Sequence, residues 1–100
     1  MKDKFIATGT IWRYEGPGGW HFLTIDKKTA HGIRFFSEER TVGLGYVKVR
    51  AKIRKTSWET ALFPTKAGEY LLAVKAAVRK TENIAEGDRV RDAGTALSGR

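Results

Sequence analysis

The most regular pattern in the chain is YVKVRAKIRKTSWETALF, residues 46–63. Val47, Val49, Ala51 and Ile53 alternate with Lys48, Arg50, Lys52 and Arg54, the period-two signature of a strand with one buried face. A tight turn at Lys55-Thr56 is predicted to pair Ile53 with Trp58, Ala51 with Thr60 and Val49 with Leu62, so that the apolar faces of two strands coincide. Lys52 then falls opposite Glu59 on the outer face. KFIATGTIWRY (4–14) and WHFLTI (20–25) alternate in the same way, and the Gly- and Pro-rich segment Glu15–Gly19 reads as the turn between them. The predicted register sets Tyr14 against Trp20, Trp12 against Phe22, Arg13 against His21 and Ile11 against Leu23. One face of this hairpin is then aromatic, the other aliphatic with a polar tip.

Asp26 is a good N-cap for a short helix over KKTAHGIRFF, which places Ala30, Ile33 and Phe36 on one side. SEERTVGLG reads as a loop, Pro64–Gly68 as a turn, EYLLAV (69–74) as a strand and KAAVRKTE (75–82) as a second short helix. NIAEGDRV (83–90) suits a sharp glycine turn feeding a strand. The following RDAGTALSGR has little apolar content and is predicted to be a frayed tail. About five or six strands with two short helices give an all-β fold, a small closed or nearly closed barrel. The expected organisation is one β-barrel domain over 1–90 and a tail over 91–100.

The blocks GTIW with GGWHF, VKVRAKI with TSWETALFP, GEYLLAVKAAVRK and IAEGDRV occur in this order. They resemble the bacterial DUF1905 family, a domain of unknown function, over about Phe5 to Val90. The resemblance implies a small closed β-barrel of mixed topology. In relatives the barrel occurs alone or fused upstream of a small bacteriocin-protection-type domain. It implies no activity, cofactor or catalytic residue. Relatives commonly carry Gly-Gly where this chain has Arg54-Lys55, and proline where it has Ala73. They also continue past Gly87-Asp88 in an alternating strand, an alternation this chain loses after Val90.

Composition narrows the function classes. The chain has 100 residues, is 41% hydrophobic and contains no cysteine, which excludes a disulfide framework, a thiolate nucleophile and cysteine-ligated metal. No long apolar run marks a signal or a membrane span near the start, so a cytoplasmic location and no membrane partner are expected. Ser57 lacks a nucleophile-elbow context, and His21 and His31 have no carboxylate at ligand spacing. GPGG precedes a strand rather than opening a helix, so it is not a phosphate loop. No catalytic residue, metal site or cofactor is predicted.

The net charge of +8 invites an anionic partner. Lys48, Arg50, Lys52 and Arg54, with Lys55 beside them, form a basic ladder that could follow a nucleic-acid backbone. Only Phe63, beside Lys48, supplies an aromatic there, so nucleic acid is the lesser reading. The leading expectation is a non-catalytic binding module for a small anionic or aromatic ligand or partner. Its candidate site joins Trp12, Arg13, Trp20 and His21 of the first hairpin to Lys75 and Arg79 of the second helix. Against it stand two alternatives: an enzyme whose basic pocket groups stabilise an anionic intermediate, and an adaptor that presents apolar surface. The competing expectation is that most of Trp12, Tyr14, Trp20, Phe22 and Trp58 form an aromatic end of the core.

Overall fold

The computed structural model describes residues 4–37, 41–42 and 45–97. Its elements are β1 (Lys4–Thr10), β2 (Trp12–Arg13), β3 (His21–Ile25), α1 (Lys27–Ser37), β4 (Thr41–Val42), β5 (Tyr46–Ile53), β6 (Thr56–Pro64), β7 (Tyr70–Ala73), α2 (Ala76–Glu82) and β8 (Arg89–Ala96). The sheet runs β1-β8-β5-β6-β7-β3-β2, with β4 paired to β5 off this path. Seven strands nearly close into a barrel, and the two short helices complete the mainly β architecture. β1 and β2 are two halves of one stretch with Ile11 between them. The first half pairs with β8 and the second with β3, so the sheet begins and ends on the same piece of chain. Ile11 is held at this change of partner by two backbone hydrogen bonds. Its N–H donates to the Asp88 carbonyl and its carbonyl accepts from Gly87 N–H, both at 2.8 Å.

The alternation of β5 decides the interior. Val47, Val49, Ala51 and Ile53 are fully buried, whereas Lys48, Arg50 and Lys52 are exposed. Trp58 and Leu62 of β6 face the same core, and Thr60 between them is half-buried. The expected faces therefore hold, but the register differs by two residues. The pairs are Ile53↔Thr56, Ala51↔Trp58, Val49↔Thr60 and Val47↔Leu62. The reversal is made by Arg54-Lys55, with Arg54 in the left-handed region at φ 56°. A shift of two keeps every side chain on its face. It also moves Glu59 from Lys52 to Arg50, to which it is joined at 2.7 Å.

The first hairpin has the expected register, Trp12↔Phe22 and Arg13↔His21, with Tyr14 N–H donating to the Trp20 carbonyl. Asp26 caps α1 through its Oδ1, which accepts Thr29 N–H at 2.7 Å and holds the carboxyl below its usual pKa. Ala30 and Ile33 are buried as predicted, while the side chain of Phe36 lies outside the described residues. The segment read as a loop before Tyr46 contributes the short strand β4.

The predicted frayed tail is corrected over 91–96. β8 continues to Ala96 between β1 and β5, with Lys4↔Thr95 on one side and Val49↔Ala96 on the other. Residues 98–100 lie outside the described residues. The alternation is present but disguised, because the inward positions after Val90 are Asp92, Gly94 and Ala96. Gly94 is small because its strand neighbour covers it: a Cβ there would run into the ring of Phe5. The ring supplies the bulk that the glycine lacks. Gly94→Ala should therefore force a buried ring aside and cost about 1–3 kcal/mol, read as a lowered urea midpoint. An unchanged midpoint would mean that Phe5 moves freely.

Candidate functional site

Ile11 and Leu23 point into the barrel, so their neighbours Trp12 and Phe22 must point out. The same alternation turns Phe63 of β6 and Leu71 of β7 outward beside buried Leu62 and Leu72. These four, with Tyr14 and Trp20, line a cleft of about 380 Å³ on the outside of the sheet. Trp20 stacks on Phe22 at a centroid distance of 6.0 Å and 6° between planes, and Trp12 meets Phe22 at 5.2 Å and 41°. Trp12 Nε1–H donates to Thr24 Oγ1 at 2.8 Å, which fixes that ring.

The glycine-rich turn is part of this construction. A Cβ on Gly18 would lie 2.8 Å from the Trp20 indole, at a φ of +100° that favours glycine. The turn is thus bare so that a ring can lie across it. Trp12, Tyr14 and Trp20 remain 36%, 45% and 48% exposed. The expectation that the tryptophans form an aromatic end of the core holds only for Trp58, which is buried.

The proposed grouping of Trp12 and Trp20 with Arg13, His21, Lys75 and Arg79 is divided by this geometry. Arg13 follows Trp12 on a two-residue strand, and neither it nor His21 lines the aromatic cleft. Adjacent strand residues project to opposite sides, which sequence adjacency conceals. Arg13 and His21 do pair across β2 and β3, and His21 Nδ1 lies 2.8 Å from the Gly19 carbonyl oxygen. The hairpin also reaches the start of α2, because Val74 N–H donates to the His21 carbonyl at 2.9 Å. Arg79, however, folds back to donate from Nε to the Val74 carbonyl, and Lys75 stands exposed as the N-cap of a seven-residue helix. Arg79 thus serves its own helix end.

The basic ladder is laid out as the alternation requires, and the structure adds to it. Lys52 and Arg54 share a cleft of about 430 Å³ with Arg89 and Arg91 of β8. A second cleft of about 300 Å³ adjoins it through Lys52 and Ala93, and includes Lys4, Arg50 and Ser57. Arg54 donates to the Glu82 carbonyl, which ties it to the end of α2. Glu82 Oε2 accepts from Lys55 N–H at 3.3 Å and from Thr56 Oγ1–H at 2.6 Å, so the turn is fastened from both sides.

Beneath this surface lies Asp92, fully buried on the inner face of β8. Its Oδ1 accepts Lys52 N–H at 3.1 Å, a donor directed across from β5, whereas Oδ2 has no partner among the described residues. Burial pushes the carboxyl up to about 6, against the smaller opposing effect of the Lys52 hydrogen bond. Asp92 lines neither of the two basic clefts.

Residues 8–91 match the family described as Domain of unknown function (DUF1905). The chain belongs to the DUF1905 family. No curated protein matches it. The DUF1905 segment contains every residue of the aromatic cleft and ends at Arg91, within β8. The nearly closed β-barrel expected of DUF1905 is what the structure shows, but the expected mixed topology is not, because the strand pairs among the described residues are all antiparallel. What sequence reasoning missed in this DUF1905 chain is the pair Arg89 and Arg91, whose spacing of two around Val90 was the available signal. It also missed Phe63 and Leu71 as cleft residues, for which only their position beside the buried Leu62 and Leu72 gave a sign.

Proposed function

We propose that this DUF1905 barrel is a non-catalytic binding module whose outer aromatic cleft receives a flat aromatic group. The observation that carries the reading is the exposure of Trp12, Tyr14 and Trp20 around one apolar hollow. Large rings are favourable to bury and normally enter the core, so three of them left half-open, two of them already packed on Phe22, are available to a ligand. Rings already fixed by Phe22 and by the Thr24 hydroxyl lose little freedom on binding. The exposed Lys75 and the Arg79 engaged with its own helix supply no enclosed basic pocket, which favours binding over catalysis. A cytoplasmic setting fits the cysteine-free composition.

The test is a fluorescence titration with anilinonaphthalene sulfonate and with adenosine as aromatic probes. Saturable binding is expected, with Trp20→Ala weakening it by about tenfold through the loss of one to three kcal/mol of stacking. The urea midpoint should stay within error, since the ring is half exposed. Binding that survives both Trp12→Ala and Trp20→Ala unchanged would place the ligand elsewhere.

A further inference from the structure

Six cations converge on the outside of β1, β8 and β5: Lys4, Arg50, Lys52, Arg54, Arg89 and Arg91. They line two adjoining clefts that share Lys52 and Ala93, and among the described residues no acid lines either one. Between the cations the lining includes Ser57, Ala93 and Thr95 together with the apolar Phe5, Ile6 and Val90, so the cationic side chains border a trough. Among the described residues Glu59 is the acid paired with any of the six, through Arg50. Lys52, Arg89 and Arg91 have no side-chain ion pair there.

The outward row of β5 extends this trough. Tyr46, Lys48, Arg50 and Lys52 are exposed on one face, with steps of about 7 Å between them. That step is on the order of the phosphate separation along an extended single strand. At the far end Tyr46 meets Phe63 edge-on at 5.0 Å, and Phe63 is also a wall of the aromatic cleft. A polyanion lying in the trough and following β5 therefore arrives at rings on which flat groups can stack.

We propose that this trough and the β5 row bind the phosphate backbone of a single-stranded nucleic acid, with a base directed to the aromatic cleft. The row spans about 20 Å from Tyr46 to Lys52, enough for about three or four phosphates. The phosphate contacts stand independently of the aromatic reading. The choice of a nucleic acid over a bare polyphosphate rests on that reading.

The experiment is fluorescence anisotropy with a labelled short oligothymidylate. The expected result is binding that weakens with salt, with a log–log slope of about −2 to −3, which corresponds to three or four phosphates at about −0.7 each. Arg89→Glu with Arg91→Glu should weaken it by about tenfold or more, whereas Arg13→Glu with Lys75→Glu, an equal change of charge away from the trough, should have a much smaller effect. Trp20→Ala should weaken the oligonucleotide but leave inorganic polyphosphate binding intact. Equal loss in the Arg13/Lys75 and the Arg89/Arg91 variants would reduce the effect to net charge and overturn the site. Polyphosphate or duplex bound more tightly than the single strand would overturn the nucleic-acid assignment. No oligonucleotide binding at low salt, with adenosine still bound, would remove the trough while leaving the aromatic cleft standing.

Discussion

Trp58→Ala is expected to lower the unfolding free energy by about 3–5 kcal/mol. The indole is 7% exposed and belongs to the core cluster of the barrel. Its cross-strand partner is Ala51, fully buried, so a large side chain on β6 is matched to a small one on β5. Removing the indole leaves alanine opposite alanine and a void that rigid strands on both sides cannot close. Urea unfolding followed by far-ultraviolet circular dichroism measures the loss, since tryptophan fluorescence changes with the substitution itself. A loss below about 1 kcal/mol would show that the barrel collapses readily around the gap.

The second large effect depends on pH. Asp92 has a folded-state pKa of about 6 because burial disfavours its charged form. In the unfolded chain the same carboxyl titrates near its ordinary value of 3.8. The folded protein therefore binds the proton more tightly. Below about pH 4 the group carries no penalty; as pH rises through 6 a penalty of about 3 kcal/mol develops, and it then stays constant. Asp92→Asn keeps an oxygen for Lys52 N–H and removes the ionisation. The stability difference between variant and wild type, from urea midpoints, should shift in favour of the variant by about 3 kcal/mol between pH 4 and 7.5. Taking the difference cancels groups such as Asp26, whose lowered pKa acts in the opposite direction. A difference that does not change with pH would mean that Asp92 is hydrated in solution.

The fold was legible wherever one face of a strand is aliphatic and the other charged. Val47 to Ile53 against Lys48 to Lys52 admits one orientation, and the barrel follows from it. The turn at Arg54-Lys55 was placed one residue late because an arginine occupies a left-handed conformation that the sequence signals with Gly or Asn. β8 was hidden because its inward positions after Val90 carry no large apolar side chain: Gly94 is covered by the Phe5 ring of β1, and Asp92 presents a carboxyl. The first hairpin is the instructive case for the site. Both of its faces are apolar, and periodicity says that they differ without saying which is inside. Aliphatic Ile11 and Leu23 are in the core, and aromatic Trp12 and Phe22 are on the outer side. The cleft was therefore visible as a set of rings but not as a surface. The convergence of Arg89 and Arg91 with Lys52 and Arg54 depends on the pairing of β8 with β5, which no local pattern contains.

The position of β8 between β1 and β5 also has a consequence for how the protein is made. It is synthesised last of the ten elements, yet both of its neighbours were made earlier and each presents an open edge until it arrives. The contacts that join residues 4–10 to residues 89–95 span nearly the whole chain, so they cannot form on a ribosome that still holds β8. During that interval the nascent barrel is a curled sheet with two unpaired borders. The lysines and arginines along β5 then also keep one of those borders from pairing with another chain. The ladder would serve the nascent chain before it serves any ligand.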